Sequence, residues 1–305
     1  MDNPKVSFCL KSYNQKAYLK DALMGAFSQT YSPMEIIIAD DGSTDGSDEM
    51  IQKLICQYRN SGGCHEVIYT HNENNLGIAL NCQKAYSLAT GEIIVNADGD
   101  DVSYPNRVSS IVEAWSAHGM RASVILHGAD TIGVDGRKIG TYDVPRVEFP
   151  LGAMMAYSKR VVSDFLPIEM VSAYDDDVYA WRALMISDVA LSIPKALIAY
   201  RIGAGSTTKG DFLSRRRRAN AKCLASGDQI VADLVHINSK LPNGRYEELR
   251  HRLDLYLQTY MAERAMLSNS PWIKKILPWL AFCKARGCRI YGRTALRMLL
   301  EYLHN

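Results

Sequence analysis

Hydrophobic and polar positions follow two rhythms over the first 130 residues. Short apolar runs, "VSFCL" (6–10), "EIIIA" (35–39), "EVIYT" (66–70), "EIIVN" (92–96) and "SVIL" (123–126), predict five strands. Between them, apolar residues recur three and four positions apart. Leu19, Ala22, Leu23, Ala26 and Phe27 do so in 17–29, and Met50, Ile51, Leu54 and Ile55 in 47–58. That spacing predicts helices with one buried face, and two more are read at 78–89 and 105–118. Pro105 is expected near the first turn of the last of these. Strands that are apolar throughout need cover on both faces, so the alternation predicts an α/β fold with a mostly parallel sheet.

After residue 130 the rhythm loosens. "GVDGRKIG" (133–140) predicts a hairpin or turn. "YDDDVYAWRALM" (174–185) predicts a helix with acidic residues at its start. "IPKALIAYRIGAGSTT" (193–208) reads as a strand leading into a Gly-rich loop, and from about 210 the chain reads as helical. The expected organisation is an α/β domain over 1–210, with halves 1–108 and 109–210, followed by a helical extension over 211–305.

The polar residues that break this pattern are concentrated after strands. "KSYN" follows the first, "DDGS" the second and "DGDD" the fourth. In parallel sheets ligands bind beyond the carboxyl ends of the strands, so three separate segments point to one edge. Asp98, Asp100 and Asp101 crowd three carboxylates into four positions. Such like charges repel unless a cation joins them, and Mg²⁺ or Mn²⁺, which take carboxylate and phosphate oxygens, suit the cluster. "DDGSTDGSD" imitates the start of a calcium loop. Its twelfth position is Gln52, and a strand rather than a helix precedes it, so a calcium site is excluded. No GxGxxG or GxxxxGK[ST] is present.

Composition narrows the classes further. A net charge of +2 over 305 residues gives no electrostatic reason to expect nucleic acid. The seven cysteines show no CxxC spacing, and "MDNPKVSFCLKSYN" lacks the basic and apolar regions of a leader. Reduced thiols in a cytoplasmic setting are expected. The 35 residues from Pro271 hold seven Lys or Arg against one Glu, a net +6, which leaves −4 on the rest. Two readings of that stretch stay open: peripheral contact with an anionic membrane through 271–305, or a helical subdomain with a solvated basic face. "SRRRR" (214–218) likewise reads as a solvated helix start or a phosphate-steering patch.

Taken together, "VSFCLKSYN", "AFSQTYSPMEIIIADDGSTDGS" and "NNLGIALNCQKAYSLATGEIIVNADGDD" resemble the nucleotide-binding half of family 2 glycosyltransferases. The resemblance covers residues 4–108 closely and 150–205 loosely. It implies the GT-A fold, a Rossmann-like sheet with helices on both faces. It also implies inverting transfer of a sugar, hexosyl in type, from a nucleoside diphosphate to a hydroxyl, with Mn²⁺ or Mg²⁺ as cofactor. The expected donor is a UDP-sugar. The expected acceptor is a glycan or a lipid-linked molecule, in surface polysaccharide synthesis at the inner face of a membrane.

The resemblance further implies roles. Ser12, Tyr13 and Asn14 would line the nucleotide, with Ser12 and Tyr13 against the base. Asp41 would accept from the base and Asp40 would support its loop. Asp98 would face the ribose or diphosphate, and Asp100, with Asp101 behind it, would hold the metal. Lys11 departs from the small polar residue common at its place. The family's "ED-x-x-L-x-x-R" is matched by "DDDVYAWR". Alignment on Arg182 puts the general base on Asp176, with Asp177 or Asp175 as alternatives. The family often carries a His in the loop matched by "YRIGAGSTT". None occurs between His127 and His236, and Gly203, Gly205 and Ser206 could offer backbone N–H groups instead, or form a plain linker. Two other functions are weighed: a sugar-phosphate nucleotidyltransferase, which would want a Gly-rich loop after the first strand, and a non-catalytic nucleotide-sugar-binding subunit.

Overall fold

The protein is described from a computed structural model, which places residues 3–147, 150–187, 189–204 and 211–268. The basic stretch 271–305, Cys283, Cys288, Gly205 and Ser206 lie outside these residues. The chain divides into two compact units. One comprises Met1–Val171 and Asp175–Gly205, the other Ser172–Tyr174 and Ser206–Asn305.

In the first unit nine strands among the described residues form one sheet, in the order β3-β2-β1-β4-β8-β6-β9-β5, with β7 paired to β6. The strands are β1 (Val6–Ser12), β2 (Met34–Asp40), β3 (Glu66–His71), β4 (Ile93–Asp98), β5 (Val102–Ser103), β6 (Val124–Ile132), β7 (Lys138–Tyr142), β8 (Met155–Ser158) and β9 (Ala190–Arg201). The run β3-β2-β1-β4 is parallel throughout. Beyond it, β8 is antiparallel to both β4 and β6, and β9 runs parallel to β6. The 133–140 turn is the β6–β7 hairpin, with Gly136 at φ +79.

The helices are α1 (Lys16–Phe27), α2 (Ser47–Asn60), α3 (Ile78–Leu88), α4 (Arg107–Ala117), the single turn α5 (Arg160–Ser163), and α6 (Asp175–Ile186). Pro105 precedes the N-cap Asn106 rather than occupying the first turn of α4. Strand alternation sorts the core. Phe8, Leu10, Ile36, Ile38, Ile93 and Val95 pack with Leu23 of α1, Ile51 of α2 and Trp115 of α4. The alternate positions of β1 and β2 face α3, where Cys9 Sγ meets the Ala85 carbonyl oxygen at 4.0 Å and Asn81 Nδ2 donates to Ala39 O at 3.1 Å. Lys11 and Asp98 share the parity of Cys9 and Asn96, and they stand opposite each other in the β1–β4 register.

Among the described residues, the second unit contains a helical hairpin of α7 (Phe212–Ile237) and α8 (Arg245–Leu267). Asp211 caps α7 by accepting from Ser214 N at 2.9 Å. Ile230, Leu234, Leu249, Leu253 and Met266 are among its buried apolar residues. The fully buried Glu263 pairs with Arg216 and accepts from Asn220 Nδ2 at 3.1 Å. Arg217 Nε donates to Leu267 O at 3.1 Å, so two arginines of "SRRRR" join the helices to each other.

Candidate active site

The carboxyl ends of β1, β2 and β4 build one edge. Ser12 and Asp40 stand in register on neighbouring strands, as do Asp40 and His71. Asp40 Oδ1 accepts from Ser43 Oγ at 2.6 Å, while Oδ2 accepts from Ser43 N at 2.9 Å and faces His71 Nδ1 at 2.9 Å. Asp41 Oδ1 accepts from Asn72 Nδ2 and Leu76 N, each at 2.8 Å, and Oδ2 from Gly77 N at 3.0 Å. Both are buried, so their first task is to fold the loops after β2 and β3 against each other. Gly42 (φ +70) is needed here, since a Cβ would meet Asn74 C at 2.8 Å. Asp45 accepts from Lys16 N and Ser47 N, each at 3.0 Å, and from Ser47 Oγ at 2.6 Å. Asp40, Asp41 and Asp45 of "DDGSTDGSD" are thus each engaged by backbone N–H groups, while Asp48 accepts from Tyr69 Oη at 2.6 Å and Gln52 Nε2 at 2.7 Å.

Asn14 adopts φ +50, a left-handed conformation that Asn tolerates. Its N–H donates to Ser43 Oγ, and its Oδ1 accepts from Thr44 N, both at 2.8 Å. It thereby ties the β1 loop to the β2 loop. Two neighbours are left over for a ligand. Tyr13 is 43% exposed, and the buried Ser12 Oγ has no hydrogen-bond partner among the described residues.

At the end of β4 the three aspartates separate. Asp101 turns toward β9, where its Oδ1 accepts from Arg201 N at 2.7 Å. Arg201 Nε donates to Asp100 O at 2.9 Å, and its guanidinium lies 4.7 Å from the Tyr18 ring centroid. Burial, with Asp100 and Asp98 nearby, pushes Asp101 well above the carboxylate range. Asp100 is pushed up to about 6 by burial and by the charge of Asp98. Asp98 is 28% exposed, with Oδ1 3.2 Å from Lys11 Nζ. Among the described residues no three acidic, His or Cys side chains converge into a complete metal shell. The donor set still suits a hard cation: two crowded carboxylates, Asp98 and Asp100, carry excess negative charge, and phosphate and water oxygens would complete the shell.

Lys11 links this edge to the acidic helix. Its Nζ donates to Asp175 Oδ2 at 2.5 Å. Burial alone would lower its pKa, but Asp175 and Asp98 outweigh burial and hold it well above the ordinary lysine value. Asp175, Asp176 and Asp177 occupy the first turn of α6, where acidic residues complement the helix dipole. Asp175 and Asp177 are buried, whereas Asp176 is half-buried. Asp176 Oδ1 accepts from Asp177 N at 3.0 Å. Burial and the charges of Asp177 and Asp175 raise its pKa well above the usual range, the direction a general base requires.

Gly152, in the turn Gly152–Met154 before β8, faces the same place. A Cβ there would lie 3.0 Å from Asn96 Nδ2 and 3.3 Å from Asp176 Cβ. Both polar atoms of the buried Asn96 lack partners among the described residues. Arg107 holds this region from beneath: Nη2 donates to Asn96 O and Ala153 O, each at 2.7 Å, and Nε to His127 Nε2 at 3.0 Å. Burial lowers Arg107 to about 10, still a cation, and burial with Arg107 keeps His127 neutral.

The structure thus brings together residues 11–14, 40–41, 96–101, 152 and 175–177. Sequence reasoning passed over Asn72, Asn96, Arg107 and Arg201. The "YR" at 200–201 was the available signal for Arg201, and a polar Asn inside "EIIVN" was the signal for Asn96.

Comparison with known proteins agrees with this geometry. The model of the family described as glycosyl transferase family 2 matches residues 7–161. An uncharacterized glycosyltransferase of Nostoc is 29% identical over 184 residues, covering 55% of each chain. The chain spans about half the length of the curated relatives it matches. Among solved structures, S. aureus TarS 1–349 in complex with UDP-GlcNAc superposes with a TM-score of 0.55 at 16% identity, covering 94% of this chain and 92% of that one. The mannosyltransferase PcManGT of Pyrobaculum calidifontis, in complex with GDP-Man and Mn²⁺, gives 0.60 at 16% identity, covering 98% of this chain and 86% of that one. These two likenesses are of fold, and the α/β architecture is the GT-A one that the sequence led us to expect.

Proposed function

The chain belongs to glycosyl transferase family 2, and on that premise we propose that it transfers a sugar, with inversion, from a nucleoside diphosphate donor to a hydroxyl acceptor. One observation carries the reading most. Lys11 Nζ bridges Asp98 at the end of β4 and Asp175 at the start of α6, so donor-side carboxylates and acidic helix share one site. That is the juxtaposition an inverting transfer needs: a place for the diphosphate and a base on the acceptor side.

Ser12 and Tyr13 receive the nucleoside, while Asn14, Asp40 and Asp41 hold the loops that shape its seat. The structural neighbours were solved with UDP-GlcNAc and with GDP-Man. That supports a nucleotide-sugar donor, and UDP is the nucleotide we infer. Asp100, with Asp98 beside it and Asp101 fixing the loop behind, would hold Mn²⁺ or Mg²⁺, whose charge would offset that gathering on the diphosphate leaving group. Asp176 takes the proton of the acceptor hydroxyl as that oxygen attacks the anomeric carbon. The bond from that carbon to the diphosphate oxygen breaks, its electron pair leaves with the diphosphate, and the configuration inverts. Asp175 is held by Lys11 and Asp177 is buried, which favours Asp176 over both.

The catalytic unit is assigned to 1–210 and the helical extension to 211–305. A glycan or lipid-linked acceptor in surface polysaccharide synthesis, met at the inner membrane face through 271–305, is part of the same proposal. No helix among the described residues is long and apolar enough to cross a membrane. The test is a thermal-shift panel of nucleoside diphosphates with Mn²⁺, since specific binding raises the melting temperature by mass action. A UDP-specific rise supports the reading. A rise with another nucleotide alone moves the base preference, and no rise with any nucleotide defeats the reading.

A further inference from the structure

Lys11 is a buried cation near the carboxyl end of β1. It is 5% exposed, with its ammonium 2.5 Å from Asp175 Oδ2 and 3.2 Å from Asp98 Oδ1. Resting on the donor site proposed above, we propose that Lys11 is a built-in counter-cation that competes with the divalent metal for Asp98. On this view Lys11, together with the acidic cluster, sets the metal affinity of the site.

The sheet itself imposes the contact. Lys11 and Asp98 stand opposite each other on adjacent parallel strands, with side chains on one face. Asp175, buried in the first turn of α6, closes the ammonium in from the other side. The remaining carboxylates differ in their commitments. Asp101 is engaged by Arg201 N, and Asp100, close to Asp98, has the Gln15 side chain as a hydrogen-bond partner and the Arg201 charge nearby. A divalent ion held by Asp100 has the carboxylate of Asp98 beside it. It gains the charge of Asp98 only by displacing an ammonium already there or by sitting beside a like charge, and in a partly buried site like charges repel strongly. The same ammonium also ties the end of β4 to the helix that carries Asp176, so it is a positioning residue for both halves of the reaction.

The test is Mn²⁺ binding to the full chain, followed through the electron paramagnetic resonance of free Mn²⁺ with no nucleotide present. Lys11→Met frees Asp98, and the variant is expected to bind Mn²⁺ about tenfold more tightly than the wild type, the size of change that one hydrogen bond to a charged group makes. Adding Asp98→Asn should cancel the gain. Because Lys11→Met leaves the buried Asp175 and the partly exposed Asp98 without their shared cation, Lys11→Met/Asp175→Asn serves as the charge-balanced form, and it should show the same gain. Unchanged or weaker binding in Lys11→Met or in Lys11→Met/Asp175→Asn, whichever folds by circular dichroism, overturns the proposal, as does Mn²⁺ binding in neither of them. Failure of the donor-site reading shows separately, as the absence of any nucleotide-induced thermal shift in the wild type.

Discussion

Asp176→Asn separates chemistry from folding at this site. Asn matches Asp in shape, and its side-chain oxygen still accepts from Asp177 N, the contact made at 3.0 Å in the structure. Packing against Gly152 is unchanged. What disappears is one negative charge at the start of α6, where Asp175 and Asp177 already stand. A positioned general base contributes about 10²–10⁴ in rate, so the loss of kcat corresponds to roughly 3–5 kcal/mol of transition-state stabilisation. Stability should move the other way. The folded pKa of Asp176 is raised by burial and by its acidic neighbours, so at pH 7 its ionised form opposes folding, and that penalty fades as pH falls through the folded pKa. Removing the charge should leave the melting temperature unchanged or higher at pH 7. The assays are steady-state transfer kinetics and a thermal melt on the same preparation. A variant that keeps kcat within tenfold of wild type, or that melts lower, would refute the assignment.

Three other substitutions probe the frame around the site. Asp41→Ala strands Leu76 N and Gly77 N and leaves Asn72 Nδ2 only its bond to Asn81 Oδ1, and should cost about 3–5 kcal/mol in denaturant unfolding along with nucleotide binding. Gly152→Ala sets a methyl 3.0 Å from Asn96 Nδ2 and 3.3 Å from Asp176 Cβ; a small stability loss of about 1–2 kcal/mol with a larger fall in kcat than in donor binding is expected from paired melts and kinetics. Glu35, fully buried at the far end of β2, is raised by burial but lowered further by Lys5, Ser7 and Thr90, to about 2. Its stabilisation is present above the unfolded value of 4.5 and is lost as pH falls from there through about 2. Glu35→Gln should therefore remove on the order of 3 kcal/mol at pH 7 and little at pH 2, read from melts across that range.

The parallel half of the sheet was legible because its signal is local. β1, β2 and β4 announce themselves as apolar runs, and the polar clusters after them mark the ligand edge without any knowledge of pairing. What could not be read depends on register and on contacts across the chain. Nothing near Lys11 indicates Asp175, 164 residues away; only the β1–β4 register and the docking of α6 bring them together. Asp101 looks equivalent to Asp100 in "DGDD", and Arg201 N alone separates their roles. Asp41 looks like a ligand-facing carboxylate until the loop at 72–77 folds onto it. The two-residue β5 is too short for any periodicity, and the start of β9 is hidden because the exposed Pro194 and Lys195 interrupt its pattern.

The most direct test of the account is release of free nucleoside diphosphate from a panel of UDP- and GDP-sugars, measured by chromatography with Mn²⁺ present, for the wild type, Asp100→Ala and Asp176→Asn. The account predicts turnover of at least one donor by the wild type, and loss of about 10²-fold or more in each variant while both remain folded. Turnover that survives undiminished in both variants would place the chemistry elsewhere and contradict the site.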